Sequence, residues 1–453
     1  MGKIRLQRVA QQMKQIVSNV ITLELKDPRC GFITIVSVKV APDLKTARVN
    51  YSVFGSDAQK RSVRRALESA RGYVQARVAQ ETKLKYTPVI TFHFDESVER
   101  DIDFSKRIAE LVEADRRTAA ARAIRAKIAA GSIPDDVVNA VSREAASGQF
   151  VEHVAALLLR LMSVNTAARA ELEEVAAAEL ECLQIIEADF RQAWGDDVRA
   201  EYLAIDPDIG EDEAYRPPEY TAAPGRPPLA AEEAYKDRAN LMIVLTRGDL
   251  GEPERPEAAE LLKPMRLLFN THIDTRPPHR HPSREGGGVA GAGAADAKGQ
   301  AAMILAAGRL LKHLRDQLGV RVCEDLCAQF VIDKESGGNG SLCIGLQDPF
   351  ACDGIVVCTP TGLTLSAPGR QPDSALAVYA AESLRRVIPD GPAGARPCEP
   401  EGDAAVLAGL FPGRDIVAFG PGEPSADRIS LHQIAAGAKI LVFLVLESAG
   451  FMT

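Results

Sequence analysis

No two of the 8 cysteines stand in a CxxC pair, and the closest spacing, Cys323 to Cys327, has no histidine partner nearby. That absence excludes a zinc ribbon and a disulfide framework. It predicts reduced, mostly buried thiols in a cytosolic protein. Long apolar runs are missing too. The basic residues near the start are not followed by one, and the longest late run, 440–446, is far short of the roughly 20 residues that span a bilayer. The expectation is a cytoplasmic protein with no membrane partner. What is present is a globular composition: 453 residues, 46% of them hydrophobic, suffice for two or three domains, each with a large core.

The net charge of -8 conceals an asymmetry. Residues 1–130 hold 25 Lys and Arg against 14 Asp and Glu, a balance of +11, and the remainder holds 29 against 48, a balance of -19. A basic module joined to an acidic one places any polyanion contact in the first.

Leu6, Val9, Met13, Ile16, Val20 and Leu23 recur at spacings of three and four, the signature of a helix face, and Asp27-Pro28 stops it. Residues 32–40 are rich in β-branched side chains. After them Ala47, Val49, Tyr51 and Val53 alternate with polar residues, so two strands are predicted. A helix follows from about Asp57, with Val63, Leu67 and Ala70 inward and Lys60, Arg61, Arg64 and Arg65 outward. Gly72 interrupts it before Val74 and Val78 resume the pattern, which predicts a helix-kink-helix. Ile90, Phe92 and Phe94 form a third strand, whose rings read as core and whose His93 lies on the polar face. A charged helix from near Val98 follows. The order is α-β-β-α-α-β, then a helix.

With Ala70-Arg71-Gly72 at the kink, this order resembles ribosome-binding factor A, an α+β KH-type RNA-binding family in which an Ala-x-Gly kink replaces the GxxG loop. QRVAQQM at 7–13, KDPR at 26–29, VKVAPDLKTARVNYSV at 38–53 and TPVITFHFDES at 87–97 carry the resemblance. One departure is Gln75, where the family has an arginine. The resemblance implies a domain over 1–115 that binds the small ribosomal subunit and 16S rRNA during late maturation and 5′-end processing. It implies no DNA partner, no cofactor and no catalytic residue in this domain. Physically, Gly72 lets a sugar-phosphate chain approach the backbone, and arginines supply charge-assisted contacts. The RNA-binding candidates are Arg61, Arg64, Arg65, Ala70, Arg71, Gly72 and Arg77. Any single arginine is equally well a solvated helix face; as a cluster on a basic domain they favour RNA.

Residues 116–134 read as a helical joint ended by Gly131-Ser132-Ile133-Pro134. A second domain over 135–453 opens with a helical stretch to about Trp194, and residues 206–229, dense in Asp, Glu, Pro and Gly, read as a loop excursion. From Leu241 onward apolar segments at 241–245, 267–272, 328–332, 354–357, 416–419 and 440–446, with a helix over 297–318, predict an α/β sheet covered on both faces.

Three fragments resemble the zinc-dependent aminoacylase and carboxypeptidase family: NTHIDTRPP at 270–278, GAGAADAKGQAA at 291–302 and VIDKESGGNGSL at 331–342. The resemblance makes His272 a zinc ligand oriented by Asp274, Asp296 the bridging carboxylate and Glu335 a ligand. The family's general-base glutamate is replaced by Lys334. Its other ligand positions fall on Thr359 and Asp427, so the metal set shrinks to His272, Asp296, Glu335 and Asp427, with His432 a substitute only if its loop rearranges. That set suits one Zn2+ at most. A lysine is a poor proton acceptor, and loss of a general base costs on the order of a hundred- to ten-thousandfold. Lys334 is expected to pair with Asp296 and Glu335 in place of the metal. Residues 368–400 are too few for the family's lid domain. Two readings follow: an assembly factor carrying a degenerate hydrolase domain, or a bifunctional chain still hydrolysing N-acyl amino acids or peptides. The sequence leaves the oligomeric state open.

Overall fold

The structure is a computed structural model that describes residues 3–21, 25, 33–53, 57–82, 87–95, 115–116, 118–169, 171–222, 227–246, 264–368, 373–391, 394–398, 402–424 and 426–452. The chain divides into two compact units, Met1–Asp115 and Arg116–Thr453.

In the first unit α1 (Lys3–Asn19) is followed by β1 (Ile33–Val40), β2 (Thr46–Val53), α2 (Asp57–Glu81) and β3 (Val89–Phe94). The sheet order is β1-β2-β3, with β2 antiparallel to β1 and parallel to β3. The periodic stripe of α1 closes one side of the core: Met13, Ile16, Val17 and Val20 are buried with Val38, Val49, Tyr51 and Ile90. Fully burying each such side chain contributes roughly 1.5–3 kcal/mol. Phe92 and Phe94 pack edge-on against Tyr51. The charged helix expected from Val98 lies outside the described residues up to 114.

The expected kink is corrected: α2 runs unbroken for 25 residues through Ala70-Arg71-Gly72. At about 100° per residue, Val63, Leu67, Val74 and Val78, all buried, fall within one narrow stripe of a continuous helix. The burial of that stripe outweighs one glycine, which costs about 1 kcal/mol against alanine. An added Cβ at Gly72 would meet nothing within 4 Å. Gly72→Ala is therefore expected to stabilise the first unit by about 0.5–1 kcal/mol in urea unfolding; a loss of stability would mean that the helix bends there in solution.

The second unit begins with α3 (residues 118–129), α4 (Asp135–Ala145), α5 (Gly148–Ser163) and α6 (Leu172–Trp194). The stretch expected as a joint belongs to this unit: Ala121, Ile124 and Ile133 are buried in its main core, and Lys127 Nζ donates to the Glu447 carbonyl at 3.0 Å. Five of the basic residues counted with the first module fall after residue 115 in the sequence, and the balance of residues 1–115 is 20 against 14.

Then come β4 (Val198–Ala204), α7 (Ala231–Ala234), β5 (Ala239–Leu245), β6 (Leu267–His272), β7 (Ser283–Glu285), β8 (Gly288–Ala290), α8 (Lys298–Leu318), β9 (Arg321–Val322), β10 (Leu326–Val331), α9 (Asn339–Gln347), β11 (Gly354–Cys358), β12 (Ser366–Pro368), α10 (Ala375–Val387), β13 (Arg396–Cys398), α11 (Gly402–Leu410), β14 (Asp415–Phe419), β15 (Arg428–Ser430), α12 (Leu431–Ser448) and β16 (Phe451–Met452). The main sheet has the order β13-β12-β14-β11-β6-β10-β5-β4, and its centre, β14-β11-β6-β10, is parallel.

Period-two alternation fills both faces. Leu241, Ile243, Leu267, Phe269, Val356 and Val417 point into a core with α8, α10 and α12, while Met242, Val244, Leu268, Ile355, Val357 and Ile416 pack against α11. The run at 440–446 is the second half of α12, which is long and apolar enough to cross a membrane but is largely buried inside the unit. Its packing against α8 and α10 makes it a central core helix. Residues 368–400 supply α10 and the edge strand β13 of the same sheet. No disulfide joins the cysteines among the described residues and, Cys323 apart, they are buried.

Candidate functional site

The parallel strands β6, β10, β11 and β14 all end at one side of the sheet, and their carboxyl ends gather the sequence motifs there. His272 closes β6 opposite Val331 of β10, and Cys358 closes β11 opposite Phe419. A crevice outside the carboxyl ends of parallel strands is where open α/β sheets place their ligands. Asp333-Lys334-Glu335 follows β10, Thr359 follows β11, and Asp296 enters from the loop before α8. Gly340 is needed behind them: a Cβ there would lie 2.2 Å from the Ile332 carbonyl oxygen, so only glycine lets α9 start this close to the strand.

His272, Asp296 and Glu335 converge, with one ligand atom from each lying within 4.8 Å of the others. His272 Nδ1 is 3.1 Å from Asp274 Oδ1, and Nε2 is 3.0 Å from Asp296 Oδ1. Asp274 also accepts from the Lys334 and Glu335 amides at 3.2 and 2.9 Å, which ties the third motif to the first. Lys334 Nζ lies 2.8 Å from Glu335 Oε1 and 3.4 Å from Asp296 Oδ2. Arg276 grips the other Glu335 oxygen. Two carboxylates are thus shared among an imidazole, an ammonium and a guanidinium.

The electrostatics follow from these contacts. Burial pushes the His272 imidazole down, but its hydrogen bonds to Asp274 and Asp296 outweigh that and bring it to about 10. Burial pushes Lys334 down as well, and Asp296 and Glu335 more than restore it, so it stays charged. Burial raises Asp296, and His272 and Lys334 together hold it below the ordinary carboxylate range. A histidine raised on folding contributes stability that is whole below about 6.5 and is lost as pH climbs through about 10. Unfolding in chelator should therefore show stability falling between those limits, and His272→Gln should flatten the slope; an unchanged slope would remove the imidazolium from this account.

These residues do not fit zinc as arranged. His272 Nε2 is engaged by Asp296, and the Lys334 ammonium occupies the space between the two carboxylates that a dication would need. The other expected ligands are not brought in. Asp427 is 56% exposed and pairs with Arg280. His432 is exposed in the first turn of α12, and its amide donates to Ser430 Oγ at 3.2 Å.

The sequence reading missed two parts of this centre. Asp403, in the first turn of α11, is buried and is pushed up by that burial, with His272 and Lys334 as its nearby cations. Its Oδ1 has no hydrogen-bond partner among the described residues. Nothing but helix position marks it in the sequence. The second part is a buried network behind Lys334. Asp333, at φ 59°, accepts from Tyr220 at 3.0 Å, from Tyr235 and from Asn339 at 3.1 Å. Arg238 donates to Tyr220 at 2.7 Å and forks onto Glu179 at 2.8 and 2.7 Å. The stretch 206–229, expected as a surface excursion, therefore delivers Tyr220 to the interior and buries Ile209.

In the first unit all the named arginines lie on α2 but on different faces. Arg61 and Arg65 point outward, Arg71 pairs with Glu68 at 3.0 Å, and Arg77 pairs with Glu81 at 3.0 Å. Gln75, the departure from the expected arginine, accepts the Ile90 amide at 3.3 Å and so caps the free edge of β3.

Fold and site define a two-unit protein: a small basic α+β domain on a three-stranded sheet, followed by an α/β domain with a histidine-carboxylate cluster at its strand ends. The first belongs to a known family. Residues 5–108 match ribosome-binding factor A, and the chain is 38% identical over 119 residues to the ribosome-binding factor A of Thermobifida fusca (strain YX), covering 26% of this chain and 79% of that one. The chain belongs to the ribosome-binding factor A family through this domain. Among solved structures, human carnosine dipeptidase 1 is 10% identical with a TM-score of 0.48, covering 70% of this chain and 99% of that one. The LapA aminopeptidase of Legionella pneumophila is 13% identical with a TM-score of 0.46, covering 71% and 76%.

Proposed function

We propose that this chain is an assembly factor that binds the small ribosomal subunit on 16S rRNA during late maturation and 5′-end processing, acting in the cytoplasm and not on DNA or a membrane. The family match over residues 5–108 carries this reading. The basic outer face of α2 and the α-β-β-α-β order, with β2 between an antiparallel and a parallel partner, support a KH-type RNA-binding fold. Phosphate contacts release counterions, so subunit binding should weaken steeply with salt, by about 0.7–0.9 log units per contact for each tenfold rise. Sedimentation of the full chain with small subunits at graded salt measures this; salt-independent binding would remove RNA phosphate from the interface.

The second unit is proposed to be a metallohydrolase-like domain without the lid and without activity. The support is the Lys334 ammonium held between Asp296 and Glu335, where the related enzymes have a base and a cation. The second reading, a zinc-dependent hydrolase of N-acyl amino acids or peptides, is favoured by the convergence of His272, Asp296 and Glu335 and requires Lys334 to leave.

A further inference from the structure

We propose that the open face of the first unit's sheet holds an RNA phosphate between Lys39 and Arg48, a contact surface that rests on the RNA-binding reading and lies on the side of the sheet away from α1 and α2. In the β1-β2 pair Val38 stands opposite Val49, Lys39 opposite Arg48 and Val40 opposite Ala47. Val38, Val40, Val49 and Ala47 are buried in the core that both helices close. Alternation along each strand therefore turns Lys39 and Arg48 to the opposite face. Both are exposed, and directly opposed residues of an antiparallel pair have Cβ atoms about 4.5–5.5 Å apart. Arg48 in turn lies beside Thr91 of β3, which is also exposed. An ammonium, a guanidinium and a hydroxyl thus stand in one row across the three strands.

Like charges placed directly opposite each other on a sheet repel, and the fold does not offset this pair. Neither Lys39 nor Arg48 has a hydrogen bond or ion pair among the described residues. The strands ITIVSVKV, TARVNYSV and VITFHF contain no Asp or Glu on either face. Asp43, in the turn between β1 and β2, accepts the Lys45 amide at 3.0 Å. Asp95 follows the end of β3, about 13 Å along the strand from Thr91. An anion seated between the two cationic heads converts their repulsion into attraction to a shared partner. The guanidinium offers a fork of donors, the ammonium a point charge and Thr91 a hydroxyl, a set that matches the unesterified oxygens of a phosphodiester. Asn50 and His93 pair in the next row along the same face and provide polar groups for the adjoining sugar.

The test uses the full chain with two probes: purified small subunits, by sedimentation at graded salt, and an RNA duplex of about twenty base pairs, by fluorescence anisotropy. Lys39→Ala combined with Arg48→Ala is expected to weaken binding to both and to lower the salt slope by about 1.4–1.8. The exchange Lys39→Arg with Arg48→Lys keeps both charges and should retain most of the affinity. Lys39→Glu separates binding from folding. It creates a cross-strand ion pair with Arg48, so it should raise the urea midpoint of the first unit while weakening RNA binding at least as much as the double alanine variant. If the double alanine variant binds like the wild type while Arg61→Ala with Arg65→Ala binds weakly, the sheet face is not the contact and the RNA-binding reading stands. If neither pair matters, both fail. A urea midpoint lowered by Lys39→Glu would show that the two cations do not repel in the free protein and would overturn the proposal. Weakened subunit binding with the duplex unaffected would mean that this face meets a ribosomal protein, and the phosphate assignment would be wrong.

Discussion

Replacing Lys334 by alanine is expected to lower the stability of the metal-free protein by about 3 kcal/mol and to make that stability rise with added zinc. The ammonium offsets the charge of Asp296 and Glu335 at 3.4 and 2.8 Å, and removing one partner of a buried ion pair leaves the other uncompensated, at a typical loss of about 3–5 kcal/mol. Zinc would then restore stability by mass action, about 2.7 kcal/mol at a hundredfold excess over its dissociation constant. The wild-type protein, loaded and dialysed, should retain no stoichiometric zinc, because the ion would have to displace both the Lys334 ammonium and the proton on His272. Lys334→Met reports the same effect with less loss of packing. Zinc-dependent melting in the wild type, equal to that of the variants, would show that Lys334 is a bystander. Lys334→Glu is expected to create no amidohydrolase activity, since Asp427 stays on its exposed pair with Arg280 and Thr359 offers no carboxylate.

Arg238→Met should cost about 3–5 kcal/mol. Arg238 and Glu179 are each about 2% exposed and joined by two hydrogen bonds. Burial works against the guanidinium, but Glu179 holds it firmly charged, so the methionine variant strands a buried carboxylate. The double variant Glu179→Leu with Arg238→Met removes both charges and should recover most of the loss in urea unfolding. Recovery of none would mean that Arg238 acts mainly through Tyr220 and Asp333, the other partners in its network.

The strands of the parallel centre were legible because each is a short apolar run bounded by turn residues: the expected 267–272 is β6, and 354–357 lies within β11. The edge strands β4 and β13 were not, since an edge strand needs only one pairing partner and tolerates polar or proline-bearing sequence such as Arg396-Pro397-Cys398. The kink expected at Gly72 shows the limit of reading a residue alone. Glycine permits a bend, but the buried stripe on either side of it stays in phase, and the helix continues.

By itself the sequence determined which chemistry could meet: a basic module of recognisable family, and His272, Asp296, Lys334 and Glu335 in three motifs far apart along the chain. Local patterning and motif order carry that much because they record residue type and period. Only the tertiary structure decided that the ammonium of Lys334 lies between the carboxylates, that Asp427 is turned to the surface, and that Asp403 and Tyr220 reach the interior. Those outcomes depend on which strand ends are brought side by side, and sequence distance carries no information about that.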